Sequence, residues 1–350
     1  MDAGVRGRWW LAGTAEAVLA SFLAVGLFAS GSFFPVLGIA LSLLCPLPFV
    51  AVGLRHGRAT LLLALALATL ILIVPLSTLQ GIVFLLQFGA PAVVLEAGLR
   101  RGVRSEVVVV GVAVVLAVGG IAVLAFASGH WDRPVTAIEA HLDGLLSDME
   151  ALSARMGISD VPATVDAPTR RLRAVLLAAF PGLLFVGSLL TGAGYVLVLQ
   201  SLVRRWPAQL GAIQPAAFRW ELPELLVWAF IGSGVLFLTG VPWLRVAGLN
   251  GLVALLGLYF LQGLSIAAFL FRRFQLPRFL ATLSVILLVF QPFFTLLVAG
   301  LGLFDVWFAF RRLSLPRPPQ LPVDDAERAE LRRLAEYAGL IARGGQRAAA

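Results

Sequence analysis

Long apolar runs separated by short clusters of arginine dominate the hydrophobic pattern of this chain. A transmembrane helix needs about 20 consecutive, mainly apolar residues. The stretch Ala59–Leu99 is long enough for two helices, with a turn near Pro75–Thr78. Six further runs each predict one membrane span: Trp10–Ala29, Phe33–Leu54, Glu106–Ala127, Ala174–Gln200, Pro223–Val241 and Gly248–Phe271. The pattern therefore predicts an all-α, polytopic transmembrane helical bundle.

The C-terminal stretch Phe279–Ala309 leaves the span count at nine or ten. Phe271-Arg272-Arg273 precedes Leu276-Pro277-Arg278, and Phe310-Arg311-Arg312 precedes Leu315-Pro316-Arg317 in the same way. If both repeats lie on one side of the membrane, the stretch forms two short spans with a turn near Gln291-Pro292. A single kinked helix is the alternative, and it would place the C-terminus outside. We favour the ten-span interpretation.

Composition supports the membrane assignment and changes how the positive charge is interpreted. Of 350 residues, 60% are hydrophobic and 13% are charged. Soluble domains contain about 45–50% apolar residues and about 25% charged residues. A net charge of +8 would suggest nucleic acid as the partner of a soluble protein. Here the arginines lie at the predicted helix ends, where they contact anionic lipid headgroups. The predicted partner is the lipid bilayer, with no nucleic acid.

The arginine clusters also predict the topology. They fall on one side if the helices alternate, so that side and the N-terminus are cytoplasmic in a bacterial inner membrane. The domains are then the N-terminal helices 1–127, an extracytoplasmic acidic segment 128–173, the C-terminal helices 174–312, and a cytoplasmic linker with a charged tail helix 313–350. The acidic segment carries an amphipathic helix, which packs on the outer face or recruits a partner. Its apolar stripe comprises Ile138, Leu142, Leu145, Met149, Leu152 and Met156.

Several kinds of chemistry are missing from the sequence. All 27 basic residues are arginine, so neither a P-loop lysine nor a Schiff-base lysine is present. Three histidines lack metal-ligand spacing, and the single cysteine, Cys45, lies in an apolar run. No combination of His, Asp, Glu and Ser has catalytic spacing. We therefore expect a protein that is not an enzyme and that uses no cofactor or metal.

Polar residues within the predicted spans are the main functional signal, because such groups usually face a protein interior or a cavity. They form three stripes with helical spacing, in which Ser77 and Asn250 are accessory members. The stripes contain the candidate ligand-binding residues Gln80, Gln87, Ser188, Thr191, Tyr195, Tyr259 and Gln262. Of these, Gln80, Gln87, Tyr195 and Gln262 are expected to face the bundle interior rather than lipid. Interhelical hydrogen bonding is the alternative role for each of them.

Two further patterns concern charged and small residues. Glu96 is expected to pair with Arg100 at i, i+4. Asp305 and Arg312 lie two turns apart and predict a structural ion pair, with a proton relay as the alternative. On the first helix, small residues at Ala17, Ala20 and Ala24 would let another helix approach closely. That helix belongs either to a membrane coupling subunit or to the same chain.

Three motifs of the C-terminal half are distinctive: Trp220-Glu221-Leu222-Pro223 with Trp228, Leu258–Gly263, and Gly302–Arg311. In these motifs the chain resembles the YybS-like family of uncharacterised bacterial membrane proteins. That family is distantly similar to the S components of energy-coupling-factor transporters. The resemblance implies a ligand among the helices near the outer face and a coupling subunit docked on the alanines of the first helix. S components have six spans, fewer than predicted here, and no vitamin-binding residue carries over.

Together these features favour a non-enzymatic inner-membrane protein that binds a small polar ligand. It would serve as the substrate-specific component of a transporter energised by other subunits. Its protein partner would be a membrane coupling subunit or another copy of the same chain. The alternative is a membrane scaffold or assembly factor that recruits partners through its outer helix and C-terminal tail.

Overall fold

The computed structural model describes residues 3–34, 38, 41–127, 144, 147–148, 151–152, 167–205 and 220–308. Within these residues every regular element is a helix, as the sequence predicted. The helices are α1 (Ala3–Phe33), α2 (Pro46–His56), α3 (Arg58–Ile73), α4 (Thr78–Phe84), α5 (Ala90–Arg100), α6 (Ser105–Ala127), α7 (Ala167–Arg205), α8 (Leu225–Leu238), α9 (Pro242–Arg273), α10 (Arg278–Phe290) and α11 (Pro292–Phe308). The chain divides into two compact units, 1–306 and 307–350.

By length and composition, five helical segments in the described parts could cross a membrane: Ala12–Gly31, Thr78–Arg100, Ser105–Phe126, Arg173–Val203 and Pro242–Arg273. The segments Arg58–Ile73, Leu225–Leu238 and Phe293–Phe308 are apolar but shorter. The all-α membrane bundle is therefore confirmed, while the count of nine or ten spans stays a prediction. The predicted span Pro223–Val241 is shorter than expected, since α8 contains 14 residues.

The turn predicted near Pro75–Thr78 is confirmed. Helix α3 ends at Ile73, and Ser77 caps α4 by accepting a hydrogen bond from the Gln80 N–H at 3.2 Å. Helix α4 does not run regularly into α5. A π-helical turn, Leu85–Gly89, joins them and contains Gln87.

The predicted span Phe33–Leu54 differs most from the structure. Its described helix, α2, has 11 residues and begins at Pro46 after a turn at residues 43–45. Pro46 and Pro48 lack the N–H groups that would continue a helix from the preceding turn. At 1.5 Å per residue, α2 extends about 16 Å, roughly half of a 30 Å hydrocarbon core.

Helices α7 and α9 are joined by the side chain of Asn250. Its Oδ1 accepts from the Gly182 N–H at 2.7 Å, and its Nδ2 donates to the Ala178 carbonyl at 2.7 Å. Those two backbone groups would bond to each other in a regular helix. Pro181, next to Gly182, has no N–H and so removes one bond of the helix, and the Asn250 amide bonds to two backbone groups beside this gap.

Replacing Asn250 with leucine should therefore destabilise the protein by about 1–2 kcal/mol, because the hydrogen bonds from its side chain to two backbone groups of α7 are lost. In a Pro181→Ala background the ladder can close directly, so the same replacement should then have a smaller effect. Thermal unfolding of the four proteins in this double-mutant cycle measures the difference. An equal loss of stability in both backgrounds would contradict the bridging role.

The chain turns sharply between α10 and α11, near the predicted Gln291-Pro292. Gln291 has an extended backbone. The Thr295 hydroxyl donates to the Leu288 carbonyl at 3.0 Å. Seven residues of straight helix rise about 10.5 Å, so this contact requires a turn rather than one continuous helix.

Candidate functional site

A cavity of about 540 Å³ lies between the π-helical turn, α6, α7 and the segment that precedes α2. This volume is within the range of about 300–1,000 Å³ typical of ligand pockets. Four of the seven candidate residues line it: Gln87, Ser188, Thr191 and Tyr195. They come from two different spans, and the tertiary structure brings their side chains around one space.

Three of these polar side chains have hydrogen-bonding capacity that the described residues leave unused. Ser188 and Tyr195 are buried, and Gln87 is half-buried. None of the three forms a hydrogen bond with another residue in the described ranges. Thr191, in contrast, donates to the Gly187 carbonyl of its own helix at 2.9 Å.

The π-helical turn determines where the Gln87 side chain lies. Its Nε2 is 3.6 Å from the position that a Cβ atom would occupy at Gly120, an ordinary contact distance, so the amide packs against α6. A π-helical turn inserts one residue relative to an α-helix and is frequently found at functional sites. The insertion also changes the angular register between Gln87 and Gln80.

Gln80 is consequently not a cavity residue, and the prediction that it faces the interior is wrong. Its side chain is exposed. The residue lies in the first turn of α4, where its backbone N–H bonds to the capping Ser77. The 3-4 spacing that placed both glutamines on one face assumed an uninterrupted α-helix.

The remaining lining of the cavity is apolar and uncharged. No Asp, Glu, Arg or His contributes to it among the described residues. Apart from Ser42, Gly187 and the four predicted side chains, its walls consist of Phe28, Leu43, Val83, Phe88, Leu116, Leu183 and Leu184. Phe28 and Phe88 meet edge to face, with ring centroids 5.8 Å apart. Sequence reasoning missed Phe28, Ser42 and Leu43, which carry no signal in an apolar run.

Tyr259 and Gln262 belong to a second, separate cluster. The Gln262 Oε1 accepts from the Leu222 N–H at 3.3 Å, and its Nε2 donates to the Asp305 Oδ2 at 3.1 Å. These bonds join the three segments on which the family resemblance rests. Gln262 thus forms hydrogen bonds between segments of the chain, which is the alternative to ligand binding that the sequence left open. Tyr259 is fully buried, and its hydroxyl has no hydrogen-bond partner within the described chain.

Only one partner of the predicted pair of Asp305 and Arg312 lies in the described part of the chain. Arg312 falls outside the described residues. Asp305 accepts the hydrogen bond from Gln262, so the carboxylate has a structural contact that its spacing to Arg312 did not predict.

Two ion pairs involve arginines at the C-terminal ends of α2 and α5. Arg55 Nη1 lies 2.8 Å from Glu16 Oε2. Arg100 Nε lies 2.5 Å from Glu96 Oε1, which confirms the predicted i, i+4 pair. Glu96 is 1% exposed, and Arg100 Nη2 also donates to the Gly53 carbonyl. The C-terminal ends of α2 and α5 therefore lie together.

The small-residue face of α1 is covered by the same chain. Ala17 and Ala24 are fully buried, and Ala20 is 5% exposed. Between them, the Ser21 hydroxyl donates to the Ala64 carbonyl of α3 at 2.8 Å. This face is not free for a coupling subunit, because α3 already packs closely against it. Of the predicted outer helix only a few residues are described, and the C-terminal tail lies outside the described residues.

Comparison with known proteins identifies one relationship. The sequence pattern of a family described as Predicted membrane protein (DUF2232) matches residues 22–306. No curated protein and no solved structure matches the chain.

Proposed function

Because the chain belongs to this predicted membrane protein family, we propose that it is a non-enzymatic membrane protein that binds a small ligand in the cavity between the π-helical turn, α6, α7 and the segment that precedes α2. The observation that carries the proposal is the set of side chains of Gln87, Ser188 and Tyr195. They line one cavity and form no hydrogen bonds with the other described residues.

The chemistry of these groups suits recognition by hydrogen bonds. An amide provides two donors and one acceptor oxygen, and each hydroxyl both donates and accepts. Burying such groups in an apolar wall without partners is unfavourable, by about 1–3 kcal/mol per group. A ligand with matching polar atoms would remove that penalty, which favours binding over an unfilled cavity.

The cellular role that fits this binding is the substrate-specific component of a transporter. The absence of lysine, and hence of a P-loop lysine, means that ATP hydrolysis would come from another subunit. Docking of that subunit through Ala17, Ala20 and Ala24 is not part of the proposal, since α3 covers these residues.

The test is to purify the protein in mild detergent and to detect retained small molecules by native mass spectrometry. The Gln87→Leu variant should lose most of the retained molecule, because it loses the amide while keeping a side chain of similar size. Gln80→Leu is the matched control, since Gln80 is exposed and lies outside the cavity. Equal retention by both variants, or no retained molecule in the parent protein, would contradict the proposal.

A further inference from the structure

The depth of the cavity can be measured along the helices that surround it. Gln87 lies nine residues from Thr78, and Leu183 lies ten residues from Arg173, which correspond to about 14 Å and about 15 Å of helix. Leu183 is also about 30 Å from the other end of its segment, Val203. The cavity therefore lies well inside the span, at a depth where the surroundings are hydrocarbon.

The short helix α2 runs from the opposite, arginine-rich end of the bundle to the depth of the cavity. Its C-terminal end lies in the arginine-rich region, where Arg55 pairs with Glu16 and Gly53 accepts from Arg100. Since α2 extends about 16 Å, the turn before Pro46 lies near the middle of the membrane. Ser42 and Leu43, next to that turn, form one wall of the cavity.

The cavity is open to the molecular surface, and its opening is apolar. Leu43 and Leu183 line it and are 44% and 45% exposed. Gly187, a third lining residue, is also exposed. At this depth, exposed leucine faces lipid chains, so the opening connects the cavity with the bilayer interior.

Among the described residues, none that lines the cavity could hold an ion by its charge. Charged side chains are absent from the described lining. The N-terminal end of α2 is also a poor anion site, because Pro46 and Pro48 lack two of the N–H donors that such an end normally offers. Moving an unpaired charge into an apolar site is strongly unfavourable.

From these features we infer that the ligand of the proposed binding site is an uncharged amphipathic molecule that enters laterally from the bilayer. Its hydrogen-bonding head contacts Gln87, Ser188 and Tyr195, and its apolar body contacts Phe28, Phe88 and the leucines of the opening. The inference rests on the proposed function and restricts it to one class of ligand.

A pair of lipid probes with the same acyl chains, one with an uncharged hydroxyl headgroup and one with an anionic phosphate headgroup, tests the inference. The probes are 1,2-dioctanoylglycerol and 1,2-dioctanoylphosphatidic acid, added to the detergent-purified protein while thermal unfolding is recorded. The uncharged probe should raise the Tm in a saturable manner, and the anionic probe should not. Gln87→Leu should weaken the response to the uncharged probe about tenfold, the equivalent of one lost hydrogen bond, and Gln80→Leu should leave it unchanged.

A second variant keeps the test valid if Gln87→Leu unfolds. Tyr195→Phe removes one hydroxyl and keeps the ring, and should also reduce the apparent affinity for dioctanoylglycerol. An equal or larger response to the anionic probe, or a response to dioctanoylglycerol that neither variant weakens, would overturn the inference. A retained metabolite that is charged and depends on Gln87 would overturn it as well, while leaving the proposed binding function intact.

Discussion

Replacing Gly302 with alanine should strongly destabilise the protein, because the added methyl group has no space. A Cβ atom at Gly302 would overlap the Tyr259 carbonyl oxygen and lie 2.7 Å from the Gly263 nitrogen. Both obstacles are backbone atoms of α9, so no side-chain rotation can relieve the overlap. Overpacking typically lowers the free energy of unfolding by about 1–3 kcal/mol. We expect a decrease at or above the upper end of that range.

The reciprocal position should behave in the same way. A Cβ atom at Gly263 would overlap the Val298 carbonyl oxygen of α11. Gly300→Ala is the control, because it lies on the same helix as Gly302 and nothing lies within 4 Å of the position that its methyl group would occupy. Thermal unfolding of the three purified variants provides the comparison. Similar Tm values for Gly300→Ala and Gly302→Ala would show that α9 and α11 do not pack as closely as described.

Enlarging the small-residue face of α1 is expected to have the second-largest effect. The double variant Ala20→Leu, Ala24→Leu places two bulky side chains where α1 and its neighbours leave no space. Ala24 is fully buried, and its carbonyl accepts a hydrogen bond from Cys45 Sγ at 3.4 Å. At about 1–3 kcal/mol per site, the free energy of unfolding should fall by about 2–6 kcal/mol in the double variant. Its expression should also be reduced.

Ala15→Leu is the matched control for the double variant. Ala15 lies on the same helix but is exposed, so leucine there should leave the Tm of the purified protein nearly unchanged. Normal stability of the double variant would mean that α3 does not cover this face. Co-purification of a partner with the parent protein, lost in a normally stable double variant, would restore docking as the role of these alanines.

The hydrophobic pattern alone determined the class of the protein and most of its helices. Runs such as Glu106–Ala127 and Gly248–Phe271 correspond closely to α6 and α9, because a helix in lipid must be both long and apolar and therefore leaves a strong signal. Turns near Pro75–Thr78 and at Gln291 were also predictable, since proline and capping residues act through local backbone chemistry. The pair of Glu96 and Arg100 follows from helix spacing in the same way.

The grouping of polar residues depended on the tertiary structure. Spacing could place Ser188, Thr191 and Tyr195 on one face of α7, but only packing brings Gln87 of another span to the same cavity. A single π-helical turn contains Gln87 and changes its register relative to Gln80, and this one-residue insertion is not visible in an apolar sequence. Likewise, Gln262 bonds to Asp305 and Leu222, which lie 43 and 40 residues away in the chain.

The same distinction applies to the alanines of α1. Sequence determined that Ala17, Ala20 and Ala24 allow a helix to approach closely, because small side chains permit close backbone contact whichever chain supplies the partner. Only the tertiary structure decided that α3 is that partner, through burial of the three residues and the bond from Ser21 to Ala64. The periodicity of a helix specifies which residues share a face, whereas the identity of the neighbour depends on contacts between distant segments.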